Sequence, residues 1–253
     1  MSYDQALAEL LPALIDAGRW EDAIAAVEAC FDEEPWPPLE VFGAMALAYR
    51  GLECIREATI WSAVWYGGTE EPRAAVVLGE LCQEWPELGP PWAPLLSRAW
   101  RRVAEFGPLS RGLEALLEQV GDRPGALEIE AFMAALGAHR SYDRETQAAA
   151  LPRLQRLQER FPEVKDLWMA SAWARAETGD LQGAEADLRS ALAISQGPLS
   201  IEAEAVSAAA SCFHLPQSWP LNDEFIWDHL CYLYESRGLD ADLERVTRER
   251  LGA

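Results

Sequence analysis

Lysine is almost missing from this chain of 253 residues: Lys165 stands alone against twenty arginines, and histidine occurs three times. The side chains that most often serve as general bases are therefore scarce. The sequence also lacks the phosphate-cradling glycine loops GxGxxG and GxxxxGK, the zinc-protease HExxH, the nucleophile elbow GxSxG and the redox pair CxxC. Acidic pairs are plentiful, for example Glu33-Glu34, Glu70-Glu71 and Glu202/Glu204. Neighbouring acids on helices mostly face solvent, and nothing in the sequence marks one pair as perturbed. By elimination the expectation is a protein that is not an enzyme and needs no cofactor.

Further absences narrow the class. No β-branched run alternates with polar residues between turns, so strand signals are nearly absent. No apolar run is long enough to cross a bilayer, because charge interrupts each one within a few residues. The opening residues MSYDQALAELL lack the basic and apolar regions of a secretion signal, and the cytoplasm is the expected compartment. The five cysteines (Cys30, Cys54, Cys82, Cys212, Cys231) are odd in number and widely spread. They read as small buried hydrophobes in a reducing environment rather than a disulfide framework.

What is present is helix. Half of the residues are hydrophobic and a quarter charged, and alanine, leucine, glutamate and arginine predominate. The formal net charge of -21 is unevenly spread: -13 over residues 1–90, zero over 91–163 and -8 over 164–253. Such a surface repels phosphate backbones and suits either plain solvation or a basic protein partner. Nucleic acid and membrane are not the expected partners.

The most regular stretch is Asp166 to Gln196, which reads as two amphipathic helices hinged at Thr178-Gly179-Asp180. Trp168, Ser171, Ala172 and Arg175 lie on the first helix, and Ala184, Leu188 and Ala191 on the second. Trp168 fits the opening aromatic of W-x2-L-G-x2-Y, Ala184 the small residue sixteen later, and Leu188 the bulky one four beyond. Ala150 and Leu154 precede Ala184 and Leu188 by 34 residues each, and Pro162 closes that earlier unit. Phe42, Met45, Ala46 and Tyr49, with Ala58 after them, restate the pattern. So do Trp227, Leu230, Cys231 and Tyr234, with Leu243 where the small residue would stand. Near the start, Leu7, Leu10, Leu11 and Leu14 form one stripe; Ala23, Val27 and Cys30 form the next, ahead of Pro35.

On these residues the chain resembles the tetratricopeptide repeat family. The resemblance implies an all-α solenoid, a right-handed superhelix of stacked antiparallel hairpins with about fourteen helices, as one domain over 1–253. Clear repeats fall near 4–35, 39–66, 144–196 and 223–252, and the pattern is degenerate over 71–143. Gly67-Gly68 reads as a helix stop, and Gly107 as the break between two middle helices. The family's concave groove is made by the first helix of each pair. Some members hold acidic chaperone tails through lysine and asparagine side chains; with only Lys165 and Asn222 available, that clamp is not assembled here.

Three groups of residues are candidates for contact chemistry. Cys212, His214, His229 and Cys231 make a mirrored CxH…HxC that zinc would accept, although residues two apart on a helix point about 200° from each other, which favours ordinary packing. Trp36, Trp85, Trp92 and Trp219 lie beside prolines; they either grip a partner or plug gaps between hairpins. Arg98, Arg101 and Arg102 share a helix face and either seat an acidic peptide or a second copy's acidic end, or pair internally. The functional expectation is a non-catalytic scaffold or adaptor whose groove takes a peptide or helix of another protein. The alternative is a chaperone or accessory protein of a secretion or assembly system, and an enzyme with an unusual acidic site is the remote third.

Overall fold

The computed structural model describes residues 3–33, 39–85, 92–103, 106–139, 142–195, 197–211 and 221–252. Among them every regular element is an α-helix, fourteen in all. No helix there is long and apolar enough to cross a membrane. The contacts divide the chain into two compact units, residues 1–129 and 130–253.

The first unit contains α1 (Tyr3–Asp16), α2 (Trp20–Glu33), α3 (Glu40–Gly51), α4 (Ile55–Thr69), α5 (Pro72–Glu84), α6 (Ala93–Arg102) and α7 (Phe106–Val120). Successive helices pack on one another from α1 to α5, but α4 also carries α6 and, most extensively, α7. The reason lies in its composition. Residues 58–65 are buried all round, including Trp61, Trp65 and the hydroxyls of Thr59 and Ser62. A helix without a polar face cannot sit at a surface, so it becomes the unit's central post. Thr59 satisfies its hydroxyl locally by donating to the Ile55 carbonyl at 2.7 Å.

Gly67 and Gly68 do not stop α4. The helix runs on to Thr69 and turns at Glu70, in the left-handed region at φ 55°. Gly67 instead gives the close approach to α7, where a β-carbon would collide with the Pro108 carbonyl and with Gly112. Gly107 likewise falls in the first turn of α7 rather than in a break. At the far end of α5, the Trp85 and Trp92 rings stack at 3.8 Å, both fully buried, and the Trp85 indole donates to the Pro124 carbonyl. Gly125, at φ 94°, closes against these rings, where a β-carbon would come within 2.6 Å of the Trp92 indole nitrogen.

The helix α8 (Ala126–Ala138) carries Glu128 and Glu130 in its first half, and residues 131–138 are apolar and all buried. From Glu130 onward it belongs to the second unit, with α9 (Arg144–Arg160), α10 (Lys165–Thr178), α11 (Leu181–Ala193), α12 (Ile201–Ser211), α13 (Asp223–Glu235) and α14 (Asp240–Arg250). Asp143 caps α9, accepting from the amides of Glu145 and Thr146 at 2.9 Å each. Neighbours pack in chain order: α9 on α10, α10 on α11, α11 on α13, and α13 on α14; α12 is set aside against α10. The core joins Met169, Ala172, Ala184, Leu188 and Ala191 to Ile226, Leu230, Leu233, Tyr234 and Val246. Trp168, Trp227 and Leu243 pack against it partly buried, and the Trp168 indole donates to the Pro162 carbonyl at 3.0 Å.

Two polar networks fix this packing. Glu185 of α11 accepts both terminal nitrogens of Arg245 from α14 at 2.9 Å, Arg189 at 2.7 Å, and the Tyr234 hydroxyl from α13. Those donors hold its carboxyl down at a pKa of about 2, while burial and the carboxylate push the Tyr234 phenol up to about 12. In the other network, the buried Asp166 in the first turn of α10 accepts from Ser207 of α12 at 2.6 Å. Burial outweighs that bond and raises the Asp166 pKa.

Candidate partner-binding cleft

The hairpin α10–α11 bends where its sequence expects. Gly179 takes φ 97° at the end of α10, a conformation that glycine adopts without penalty, and its amide reaches the Ala176 carbonyl. Asp180 then caps α11 by accepting from the Gly183 amide at 2.9 Å, and Arg175 ties that cap to Asp187 at 2.9 Å. The last hairpin is built alike: Asn222 caps α13 through the Phe225 amide at 2.8 Å, and Gly238 turns the chain at φ 64°. Thus α10 is fixed at its C-terminal turn and α13 at both ends, and these are the first helices of two hairpins.

Between them opens a cleft of about 300 Å³, lined by Ala172, Trp173, Ala176 and Glu177 of α10 and Phe225, His229, Tyr232 and Leu233 of α13, with Leu188, His139 and Arg237. Its walls are aromatic. The Trp173 and His229 rings lie 5.4 Å apart, and those of Phe225 and His229 lie 4.2 Å apart. Tyr232 is 58% exposed, unusual for so large a side chain on a packed helix. His229 Nδ1 lies 2.8 Å from the Phe225 carbonyl; a carbonyl only accepts, so the proton sits on Nδ1. Arg237 spends its guanidinium on the carbonyls of Ala176 at 2.9 Å and Leu233 at 3.1 Å, at the C-terminal ends of α10 and α13. Glu177 lies 3.8 Å from it, with half of its side chain exposed.

A concave aromatic wall with a few fixed polar groups is suited to holding a side chain. Comparison with protein-family models, curated proteins and solved structures found no match to this chain.

The residues singled out from the sequence are dispersed. Trp92 is buried against Trp85 in the first unit, with the Arg56 guanidinium 5.3 Å from its ring. Arg98 is exposed on α6; the side chains of Arg101 and Arg102, and all of Trp36, Trp219, Cys212 and His214, lie outside the described residues. Elsewhere in that arginine-rich stretch, Arg111 donates to the Gly67 carbonyl at 2.8 Å, and Arg156 pairs with Glu130 at 3.0 Å. His229 faces the cleft, whereas Cys231, two residues on, packs against the core of the same unit. Among the described residues no group of three or more potential ligands gathers around a metal position.

Of the cleft residues, His229 is the one among the contact candidates read from the sequence, and for a different chemistry; Ala172 and Leu188 are repeat positions. A signal was present: the residue five after the opening tryptophan is aromatic in both hairpins, Trp173 after Trp168 and Tyr232 after Trp227. Trp173 is half-buried against the core and Tyr232 is exposed, so the repeated aromatic spans core and surface.

Proposed function

We propose that this chain is a non-catalytic protein-interaction scaffold of tetratricopeptide-like kind, which takes a peptide or helix of a partner protein into the aromatic cleft between α10 and α13. The observation that carries this reading is the cleft's position on the first helices of two successive hairpins, the elements that would face the groove of such a fold. Affinity comes from seating an anchor side chain among Trp173, Phe225 and Tyr232. The acidity of residues 164–253, net -8, selects a partner of basic character and speeds its approach, an effect that fades as salt screens it.

The test places a photo-reactive amino acid at Tyr232 and, as a control, at the exposed Val76 of α5. The expected result is a defined protein crosslinked from position 232 and not from 76. Its crosslinked segment, made as a peptide, should bind the full chain and lose about tenfold or more of its affinity in Tyr232→Ala, as loss of an aromatic anchor would cause. A peptide that binds Tyr232→Ala and Trp173→Leu as tightly as it binds the unaltered chain would remove the cleft from the interaction.

A further inference from the structure

The cleft's electrostatics define its occupant more closely. Its rings come from Trp173, Phe225 and Tyr232, whose faces carry the negative end of the aromatic quadrupole. Glu177 adds a half-exposed carboxylate on the same lining. Among the described lining residues the single permanent cation is Arg237, held by the carbonyl ends of α10 and α13, where helix dipoles offset its charge. An acidic occupant would have to draw Arg237 away from those carbonyls. A cationic occupant leaves those carbonyl bonds in place; it meets ring faces and shares the half-exposed Glu177 carboxylate, 3.8 Å from Arg237, in a region that is net negative.

Resting on the docking reading above, we infer that the anchor this cleft takes is the guanidinium or ammonium group of an arginine or lysine side chain in the partner, packed against Trp173 and Tyr232 and facing Glu177. The aliphatic stem of that side chain fills the apolar part formed by Ala172, Ala176 and Leu188. Arginine is favoured over lysine, because its planar, weakly hydrated head stacks on rings as well as pairing with carboxylate.

The experiment titrates the full chain with blocked pentapeptides of glycine and alanine whose central residue is arginine, lysine, citrulline, norleucine or glutamate. The readout is the chemical shift of the Tyr232 and His229 ring protons. Arginine is expected to bind about 3- to 30-fold more tightly than citrulline, its neutral isostere. Glu177→Gln should weaken the arginine peptide by about 2- to 5-fold, and leave the norleucine peptide unaffected. Equal binding of citrulline or norleucine with arginine would overturn the cationic anchor, while keeping the cleft as an apolar docking seat. Tighter binding of glutamate would overturn it in favour of an acidic anchor on Arg237. The absence of shifts with every peptide would overturn it too, and crosslinking from position 232 then decides separately whether the cleft docks a partner.

Discussion

Gly67 of α4 and Gly112 of α7 stand back to back, so close that a β-carbon on Gly67 would lie 2.8 Å from the Gly112 α-carbon. A β-carbon on Gly112 would in turn collide with the Ala63 carbonyl and come within 3.0 Å of the Val64 nitrogen. Both obstacles are backbone, which cannot rotate away as a side chain can. Helix pairs this close gain dispersion contacts along their whole length, and the packing of α4 on α7 is the most extensive between any two helices of the first unit. Gly67→Ala or Gly112→Ala is expected to destabilise by about 1–3 kcal/mol, at the upper end because the helices must part. Gly79→Ala is the control. It lies inside α5 with nothing within 4 Å of the added carbon, and should stabilise by about 0.5–1 kcal/mol. Denaturant midpoints of the three variants check all of this; equal shifts for Gly79 and Gly112 would refute the close approach.

That contact also shows where reading the sequence reaches its limit. The hairpin α10–α11 is legible because α11 has one apolar face, a small residue, Ala184, stands at the crossing, and Gly179 marks the turn. In α4 the small residue, Ala58, and the glycines Gly67 and Gly68 are present, but a single apolar face is not. Its apolar residues surround it, so periodicity names no face, and Gly67 looks the same whether it ends a helix or admits a neighbour. The pairing of α4 with α7 depends on two glycines 45 positions apart meeting in space, which no local pattern encodes. The cleft was half legible. Trp173 and Tyr232 repeat at equivalent positions, but the ring contacts of His229 with Trp173 and Phe225 exist only once α10 and α13 are brought together.

Trp92 anchors the far end of the first unit, stacked on Trp85 and only 1% exposed. Trp92→Ala should cost about 3–5 kcal/mol, because it empties a filled site and leaves the Trp85 ring without its partner. A variant with the stability of the unaltered chain in equilibrium unfolding would show that the ring spends its time outside the core.

Glu185 and Asp166 make opposite contributions as pH changes. The Glu185 carboxyl titrates at about 2 in the folded chain, below its ordinary 4.5. Its stabilisation is therefore complete above pH 4.5 and is lost as pH falls toward 2, since the unfolded state takes up the proton first. Glu185→Gln is expected to cost on the order of 1–2 kcal/mol at neutral pH, less than the full linkage value because Arg245 and Arg189 keep contact with water. Stability curves from pH 6 down to 2 should be flatter in the variant. An unchanged slope would mean that Arg245 does not bind Glu185 in solution.

Asp166 has the reverse sign. Burial raises its pKa above the ordinary 3.8, so the folded state holds the proton longer than the unfolded state does. Stability from this group is fully present below pH 3.8 and falls as pH rises through the raised value, leaving a buried carboxylate at neutral pH with Ser207 as its side-chain donor. Asp166→Asn keeps an acceptor for the Ser207 hydroxyl and removes the charge. It should raise the unfolding midpoint at pH 7 and leave it nearly unchanged at pH 3. Ser207→Ala works in the opposite direction, removing the donor and leaving the acid more poorly solvated, so it should destabilise more at pH 7 than at pH 3. If the asparagine variant instead loses stability at neutral pH, the carboxylate is stabilised by the amide end of α10 more than burial opposes it, and the dipole rather than the desolvation governs this turn.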